Sequence, residues 1–350
     1  MKPTIIIDNH IPFIKGVFDD VAEIHYLSAT EIDNAALRAT AADGLIVRTR
    51  TRCNETLLRD TAVHFIATAT IGTDHIDADY CKCAGISWTN APGCNASSVA
   101  QYVGSALALY AHEEGESLEG KTIGIVGHGH VGSEVEKIAT ALGMNILLCD
   151  PPKATINSDL YVRLEYLVAN SDVITIHTPL TYNGDCPTYH LIGSNIFHRM
   201  PHRPLIINAA RGGVVDESAL ITALKHRIVS HAVVDCWEGE PNVNSTLLEA
   251  ALIATPHIAG YSADGKLNAT QQVVAATAQF FGITTAPVVG LEPKHSVVAH
   301  PDTLPMQLLT SYRIYSDSAA LKSDPTQFET LRNHYPTRRE LKIIVSPEIV

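Results

Sequence analysis

The chain has little that would draw it to a polyanion or into a membrane. Its 25 lysines and arginines are outnumbered by 37 aspartates and glutamates, a net charge of −12 over 350 residues. A nucleic-acid or anionic-membrane surface needs the opposite balance. The same arithmetic leaves a small anionic substrate open, because two or three well-placed cations suffice for one. Residues 84–112 carry no Asp, Glu, Lys or Arg, but Asn90, Pro92, Gly93, Asn95, Ser97, Ser98 and Gln101 interrupt them. The apolar part, 99–111, falls short of the roughly 20 residues that a membrane span needs, so it reads as a buried helix. The apolar start at 4–7 meets Asp8 too early for a signal peptide. The seven cysteines, at 53, 81, 83, 94, 149, 186 and 236, are odd in number and irregular in spacing, with no second Cys/His pair at zinc-site distance. They predict free thiols in a cytoplasmic protein, no disulfide framework and no metal site.

What is present is enough apolar residue for a sizeable core: 46% hydrophobic against 18% charged, with a mean hydropathy of +0.08. Short apolar runs at 4–8, 21–26, 44–47, 65–68 and 86–89 alternate with helical patterns such as 55–59 and 76–84, which argues βαβ units and a parallel sheet. A second alternating set follows the Ala91-Pro92-Gly93 turn and the uncharged helix, with runs at 122–126, 145–149, 172–177, 205–208, 231–235 and 252–255. The expected class is therefore α/β, with two doubly wound parallel-sheet domains. After residue 286 the composition shifts. Seven of the 18 prolines but one glycine, Gly290, lie in this stretch. Asp324-Pro325 reads as an N-cap with proline at the first helical position, opening a helix to about His334, and 340–346 reads as a terminal strand. This is a small αβ appendage.

One turn has the form of a dinucleotide site. The strand at 122–126 runs into Gly127-His128-Gly129-His130-Val131-Gly132, which opens a helix at about 134–142. The next strand ends in Asp150, 18 residues after Gly132. Glycine pattern, strand, helix and acidic residue together are the context that the fingerprint requires. Gly127 makes the turn, Gly129 lets backbone approach a pyrophosphate, and Gly132 lets helix pack on sheet. The free N–H groups of the helix start, at His130 and Val131, face the phosphates. Asp150 accepts ribose hydroxyls and repels a 2′-phosphate, which favours NAD over NADP; Lys153 is the nearby cation that opposes this. His128 and His130 are expected to act through backbone.

Oxidising a hydroxy acid by hydride transfer also needs a base, a cation for the carboxylate, and a group that orients the base. Candidates stand after three strands: Asn208-Ala209-Ala210-Arg211-Gly212, Asp235-Cys236-Trp237-Glu238-Gly239-Glu240-Pro241, and Thr255-Pro256-His257-Ile258-Ala259-Gly260-Tyr261. Ligands in open α/β sheets bind outside the carboxyl ends of strands, so these can converge. With the Gly127–Gly132 turn, these motifs resemble the D-2-hydroxyacid dehydrogenases. The resemblance implies that Arg211, Glu240 and His257 are the catalytic set. It further implies that Thr178, Ala209, Ala210, Arg211, Asp235 and Gly260 join the NAD site, with Asp235 and Thr178 at the nicotinamide end, and that Thr49, Thr70 and Tyr261 meet the substrate.

Ala67-Thr68-Ala69-Thr70-Ile71-Gly72-Thr73, Asn90-Ala91-Pro92-Gly93-Cys94-Asn95, Val47-Arg48-Thr49 and Trp237-Glu238-Gly239-Glu240 narrow the resemblance to a branch of the family that takes a phosphorylated 2-hydroxy acid. Backbone N–H groups of the Ile71-Gly72-Thr73 turn then hold the carboxylate beside Arg211. Arg48, Arg50 and Arg52 share a face if the chain is extended there. Arg48 or Arg50 then meets the phosphate, or the stretch is a solvated charged edge. Trp237 is expected to pack, and His75 and Asp77 to cap the following helix. The implied organisation is a substrate domain at 1–95 completed by 262–285, a Rossmann NAD domain at 96–261, and a C-terminal dimerisation module at 286–350 forming a homodimer. Other 2-hydroxyacid enzymes, acting on 3-phosphoglycerate or hydroxypyruvate, and an NAD-sensing corepressor module remain as alternatives.

Overall fold

A computed structural model of the chain describes residues 2–336 and 338–344. The chain forms two compact units, one comprising the residues up to Asn95 with Ala263–Pro293, the other Ala96–Ser262 with the chain from Lys294 onward.

The first unit is built on β1 (Thr4–Asp8), β2 (Glu23–Leu27), β3 (Gly44–Val47), β4 (Phe65–Thr68) and β5 (Ser87–Thr89). They are all parallel, in the order β2-β1-β3-β4-β5. Strands covered on both faces read as continuous apolar runs. Ile5, Ile6, Ile7 and even Asp8 are fully buried. The order reverses between β1 and β3, so the crevice of this sheet opens where Asp8 and Arg48 end their strands.

The second unit holds β6 (Thr122–Val126), β7 (Asn145–Cys149), β8 (Val173–Ile176), β9 (Leu205–Asn208), β10 (His231–Val234) and β11 (Ile253–Ala254), parallel in the order β11-β10-β9-β8-β6-β7. Its reversal lies between β6 and β8, so the glycine turn after β6 faces the end of β8. The uncharged stretch is explained by its surroundings. Helix Ala96–Glu114 packs against both helix His130–Ala141 and helix Leu304–Ser311. Tyr102, Val103, Ala106 and Leu107 are fully buried. A Cβ on Gly104 would stand 3.0 Å from Ile138 and 3.2 Å from Leu308.

From Lys294 on, the appendage does not stand apart as a module; it completes the core of the second unit. Leu304, Leu308, Ile314, Leu321 and Phe328 are fully buried there. Glu340 is buried too and binds Ser97 (2.5 Å), Ser262 (2.6 Å) and Lys294 (2.5 Å). The expected helix after Asp324 is a 3-10 turn, Pro325–Gln327, capped by the Asp324 carboxylate, followed by helix Phe328–Asn333. The terminal strand β13 (Lys342–Ile344) pairs in parallel with β12 (Ser296–Val298); Val345 and Ser346, expected in it, lie outside the described residues. Helices Leu304–Ser311 and Ile314–Ser323 were not foreseen from the sequence.

Candidate active site

The glycine turn has the shape that its pattern foretells. Gly127 sits at φ +90°, and a Cβ on it would meet the His177 carbonyl at 2.8 Å. A Cβ on Gly132 would meet the Gly127 carbonyl oxygen at 2.2 Å, so only glycine lets the helix come this close to the strand. Gly129 caps helix His130–Ala141 without a side chain and has open space around it. His130 and Val131 form the first helical turn, whose N–H groups have no carbonyl partner within the helix. Asp150 ends β7 and accepts from His128 N–H (2.9 Å) and Lys153 N–H (3.2 Å), which aims its carboxylate across the turn. The Lys153 ammonium donates to the His128 carbonyl rather than standing clear. Thr178 follows β8 with a buried hydroxyl that has no hydrogen-bond partner among the described residues. An open glycine cradle and an orphaned hydroxyl beside it suit a dinucleotide. His128 differs from expectation: its ring bonds Tyr161 (3.0 Å) and Glu136 (2.9 Å), so its side chain ties the turn to the unit.

Three strand ends supply the chemistry. Asn208 closes β9 and holds the next turn, accepting from Ala210 N–H (3.2 Å) and donating to the Arg211 carbonyl (3.1 Å). Arg211 is half-buried, and its Nη1 donates to the Ala210 carbonyl at 2.8 Å. After β10, Asp235 is fully engaged. Its carboxylate accepts from the Thr255 hydroxyl (2.6 Å), Ile258 N–H (2.8 Å) and Ala259 N–H (3.0 Å). Asp235 thereby fastens the 255–259 loop. Trp237 packs as foreseen, 2% exposed, with its indole N–H on the Thr255 carbonyl.

The fastened loop carries His257 at φ +56°, a left-handed conformation that a non-glycine residue holds only when its surroundings impose it. Its Nδ1 lies 2.8 Å from Glu240 Oε2, and Glu240 Oε1 is held by Trp237 N–H at 2.9 Å. An ionised carboxylate only accepts, so Nδ1 carries the proton and Nε2 is the base in the neutral ring. Burial favours the neutral imidazole. The Cys236 sulfur and the Glu240 carboxylate outweigh burial and hold the His257 pKa well above its ordinary value. Burial raises the Glu240 pKa, but the bond and charge of His257 reverse that and leave it lowered.

A second acid pair flanks this one. Glu217 opens helix Glu217–Lys225, is 8% exposed, and accepts from Glu238 N–H at 2.7 Å. Burial, with Glu238 and Glu240 adding to it, pushes its pKa up to about 7. An acid raised this way favours the fold below its unfolded pKa and loses that contribution as pH rises through 7. Glu217→Gln keeps the acceptor and removes the titration. Urea unfolding should show it about 1–3 kcal/mol more stable than the parent at about pH 8 and equal to it at about pH 4.

In the first unit the expected substrate residues are less simply arranged. Residues 48–51 form a turn, with Thr51 N–H on the Arg48 carbonyl, so Arg48, Arg50 and Arg52 do not share an extended face. Arg50 and Arg52 are exposed, as is Thr49. Arg48 is half-buried and bidentate on Asp8, at 3.0 and 3.3 Å. The buried Asp8 was missed, although a carboxylate at the end of β1 beside the sheet's reversal was a readable signal. The Thr70 hydroxyl bonds Thr68 (2.8 Å) and the Gly72 carbonyl (3.1 Å), and Asn90 holds the Ile71 carbonyl at 2.8 Å, so the 70–73 turn is braced. Asp77 caps helix Ala78–Ala84 as expected, but His75 does not; its Nε2 lies 2.9 Å from the Thr68 hydroxyl.

Residues 98–259 match the sequence profile of the D-isomer specific 2-hydroxyacid dehydrogenase, NAD binding domain. The chain belongs to this family of NAD-dependent oxidoreductases. Within it, the chain is similar along nearly its whole length to the erythronate-4-phosphate dehydrogenase of Bacteroides thetaiotaomicron, at 44% identity over 97% of each chain. It is likewise similar to that of Porphyromonas gingivalis, at 42% identity over 97% of this chain and 94% of the other. Among solved structures, NAD+-bound 3-phosphoglycerate dehydrogenase from Entamoeba histolytica aligns with a TM-score of 0.67 at 26% identity, covering 81% of this chain and 96% of that one.

Proposed function

We propose that the protein oxidises 4-phospho-D-erythronate to 3-hydroxy-2-oxo-4-phosphobutanoate, a step towards pyridoxal 5′-phosphate. The observation that carries the chemistry is the His257–Glu240 pair, joined at 2.8 Å on a loop fastened by Asp235. The erythronate-4-phosphate dehydrogenase relatives supply the substrate. NAD, when bound, accepts the hydride from C2 of the substrate. His257 Nε2 takes the hydroxyl proton, so the C2–H and O–H bonds break together and a carbonyl forms. Glu240 keeps Nδ1 protonated and stabilises the imidazolium that results. The remaining N–H groups of Arg211 bind the substrate carboxylate and the oxygen that becomes the carbonyl. Gly127, Gly129, His130, Val131 and Gly132 hold the pyrophosphate, Asp150 the ribose, and Thr178, Ala209, Ala210, Asp235 and Gly260 the rest of NAD. Arg48 (aimed by Asp8), Thr49, Thr70, Ile71, Gly72 and Tyr261 bind the substrate.

Among the described residues no helix is long and apolar enough to cross a membrane, and all seven cysteines are free thiols. The free thiols support a cytoplasmic setting. Exposed Val298, Met306, Tyr315 and Ile344 on the C-terminal segment support a homodimer formed through it. The test of function is NADH formation over a panel of 2-hydroxy acids. We expect the highest kcat/KM with 4-phosphoerythronate; faster turnover of 3-phosphoglycerate or glycerate would overturn the assignment.

A further inference from the structure

We infer that the C-terminal segment carries a phosphate-binding cation of the active site, Arg332. The inference rests on the proposed function and names the group that meets the substrate's phosphate.

Arg332 lies on helix Phe328–Asn333, which the fully buried Phe328 anchors. Its Nε donates to the Tyr261 hydroxyl at 3.1 Å, and its guanidinium stands 6.0 Å from the Tyr261 ring centroid. Tyr261 is four residues beyond His257. Arg332 is also close enough to Glu240 for its charge to help lower the pKa of that carboxylate. The same segment sets the loop itself. Arg338 donates to the carbonyls of Tyr261 (3.1 Å) and Ala259 (2.8 Å) and to the Ser98 hydroxyl (2.8 Å), and its guanidinium lies 4.1 Å from the Tyr312 ring centroid.

The two arginines are used differently. Arg338 is 8% exposed and spends its Nε and Nη2 on the fold, while its Nη1 is buried with no hydrogen-bond partner among the described residues and so is closed to a ligand by burial. Arg332 has a side chain that is 24% exposed, and its nearest acid, Glu329, is 3.9 Å away, beyond hydrogen-bond distance. Tyr261 takes one of its five N–H donors, and among the described residues the others have no hydrogen-bond partner. A guanidinium fixed at Nε with both Nη groups unspent is pre-organised for two oxygens of one anion. A phosphorylated 2-hydroxy acid has two anionic ends. Arg211 is assigned to the carboxylate, and Arg332 in the same unit is left for the other end.

The test compares Arg332→Ala, Arg332→Gln and Arg332→Lys with the parent on 4-phosphoerythronate and on unphosphorylated D-erythronate, with inorganic phosphate as inhibitor. For Ala and Gln we expect KM for the phosphorylated acid to rise about 10–100-fold and phosphate inhibition to weaken similarly, with a clearly smaller change for D-erythronate that reflects only the lost Tyr261 bond. Lys should recover part of the loss. Equal losses on both substrates would overturn the inference and make Arg332 a positioning residue for Tyr261 and Glu240. Unchanged KM and phosphate inhibition would also overturn it. If the parent prefers unphosphorylated acids, the proposed function falls instead. Phosphate inhibition of parent and variants on the preferred acid then still decides whether Arg332 binds an anion.

Discussion

His257→Ala is expected to lower kcat for oxidation about 10²–10⁴-fold, the usual worth of a positioned general base. NADH binding, followed by nicotinamide fluorescence, should be little changed, because the glycine turn lies on other strands. The pH profile gives a sharper reading. Glu240 and Cys236 hold the His257 pKa well above the ordinary histidine value, so the ring stays protonated further up the pH scale. The base must be neutral to take a proton. Thus kcat/KM for oxidation should fall as pH falls through the raised pKa, while reduction of the 2-oxo acid, which needs the imidazolium, should fall as pH rises through it. Glu240→Gln can still accept from Trp237 N–H but carries no charge. Its oxidation limb should move towards lower pH, with a lower maximal rate from the loosened ring. A limb that stays in place in Glu240→Gln would assign the titration to another group.

Much of this site is legible in the sequence, for a physical reason. The glycines at 127, 129 and 132 each answer a local steric demand, and the structure shows it at 127 and 132 as carbonyl contacts that no Cβ could share. Strands such as β1 and β9 are short, β-branched and covered on both faces, so their boundaries follow from composition alone. Glu240 and His257 come together because two neighbouring parallel strands end beside each other, which alternation of strand and helix already implies.

Other parts depend on side chains meeting across long separations. Asp8 and Arg48 pair across forty residues, and that pairing, with the turn at 48–51, replaces the extended arginine face expected there. The resemblance implies a cofactor contact for Asp235 but says nothing of its role inside the fold. There its carboxylate meets backbone N–H groups more than twenty residues away. The helices 304–311 and 314–323 lacked a strong apolar period and are stabilised by the core that they complete, an effect of tertiary packing that overrides local propensity. Nothing local marked Arg332, because its meaning comes from Tyr261, seventy-one residues earlier.

Arg211→Met is expected to cost about 3–4 kcal/mol of transition-state stabilisation, a fall of roughly 10²–10³-fold in kcat, together with a higher KM for every 2-hydroxy acid. The cost follows from how the side chain is held. Asn208 fixes the turn through backbone groups at 210 and 211, so the substitution leaves the turn in place. One guanidinium nitrogen is tied to the Ala210 carbonyl, which orients the plane and leaves the rest for an anion. Lysine keeps the charge but cannot keep that tether while presenting two parallel donors, so Arg211→Lys should recover only part of the rate. The loss should appear equally with phosphorylated and unphosphorylated acids, because the carboxylate and the C2 oxygen are common to both; this separates Arg211 from Arg332. NADH affinity should be nearly unchanged. A parallel loss of NADH binding in Arg211→Met would show that the side chain holds the cofactor instead of the substrate, and the carboxylate would then need a different cation.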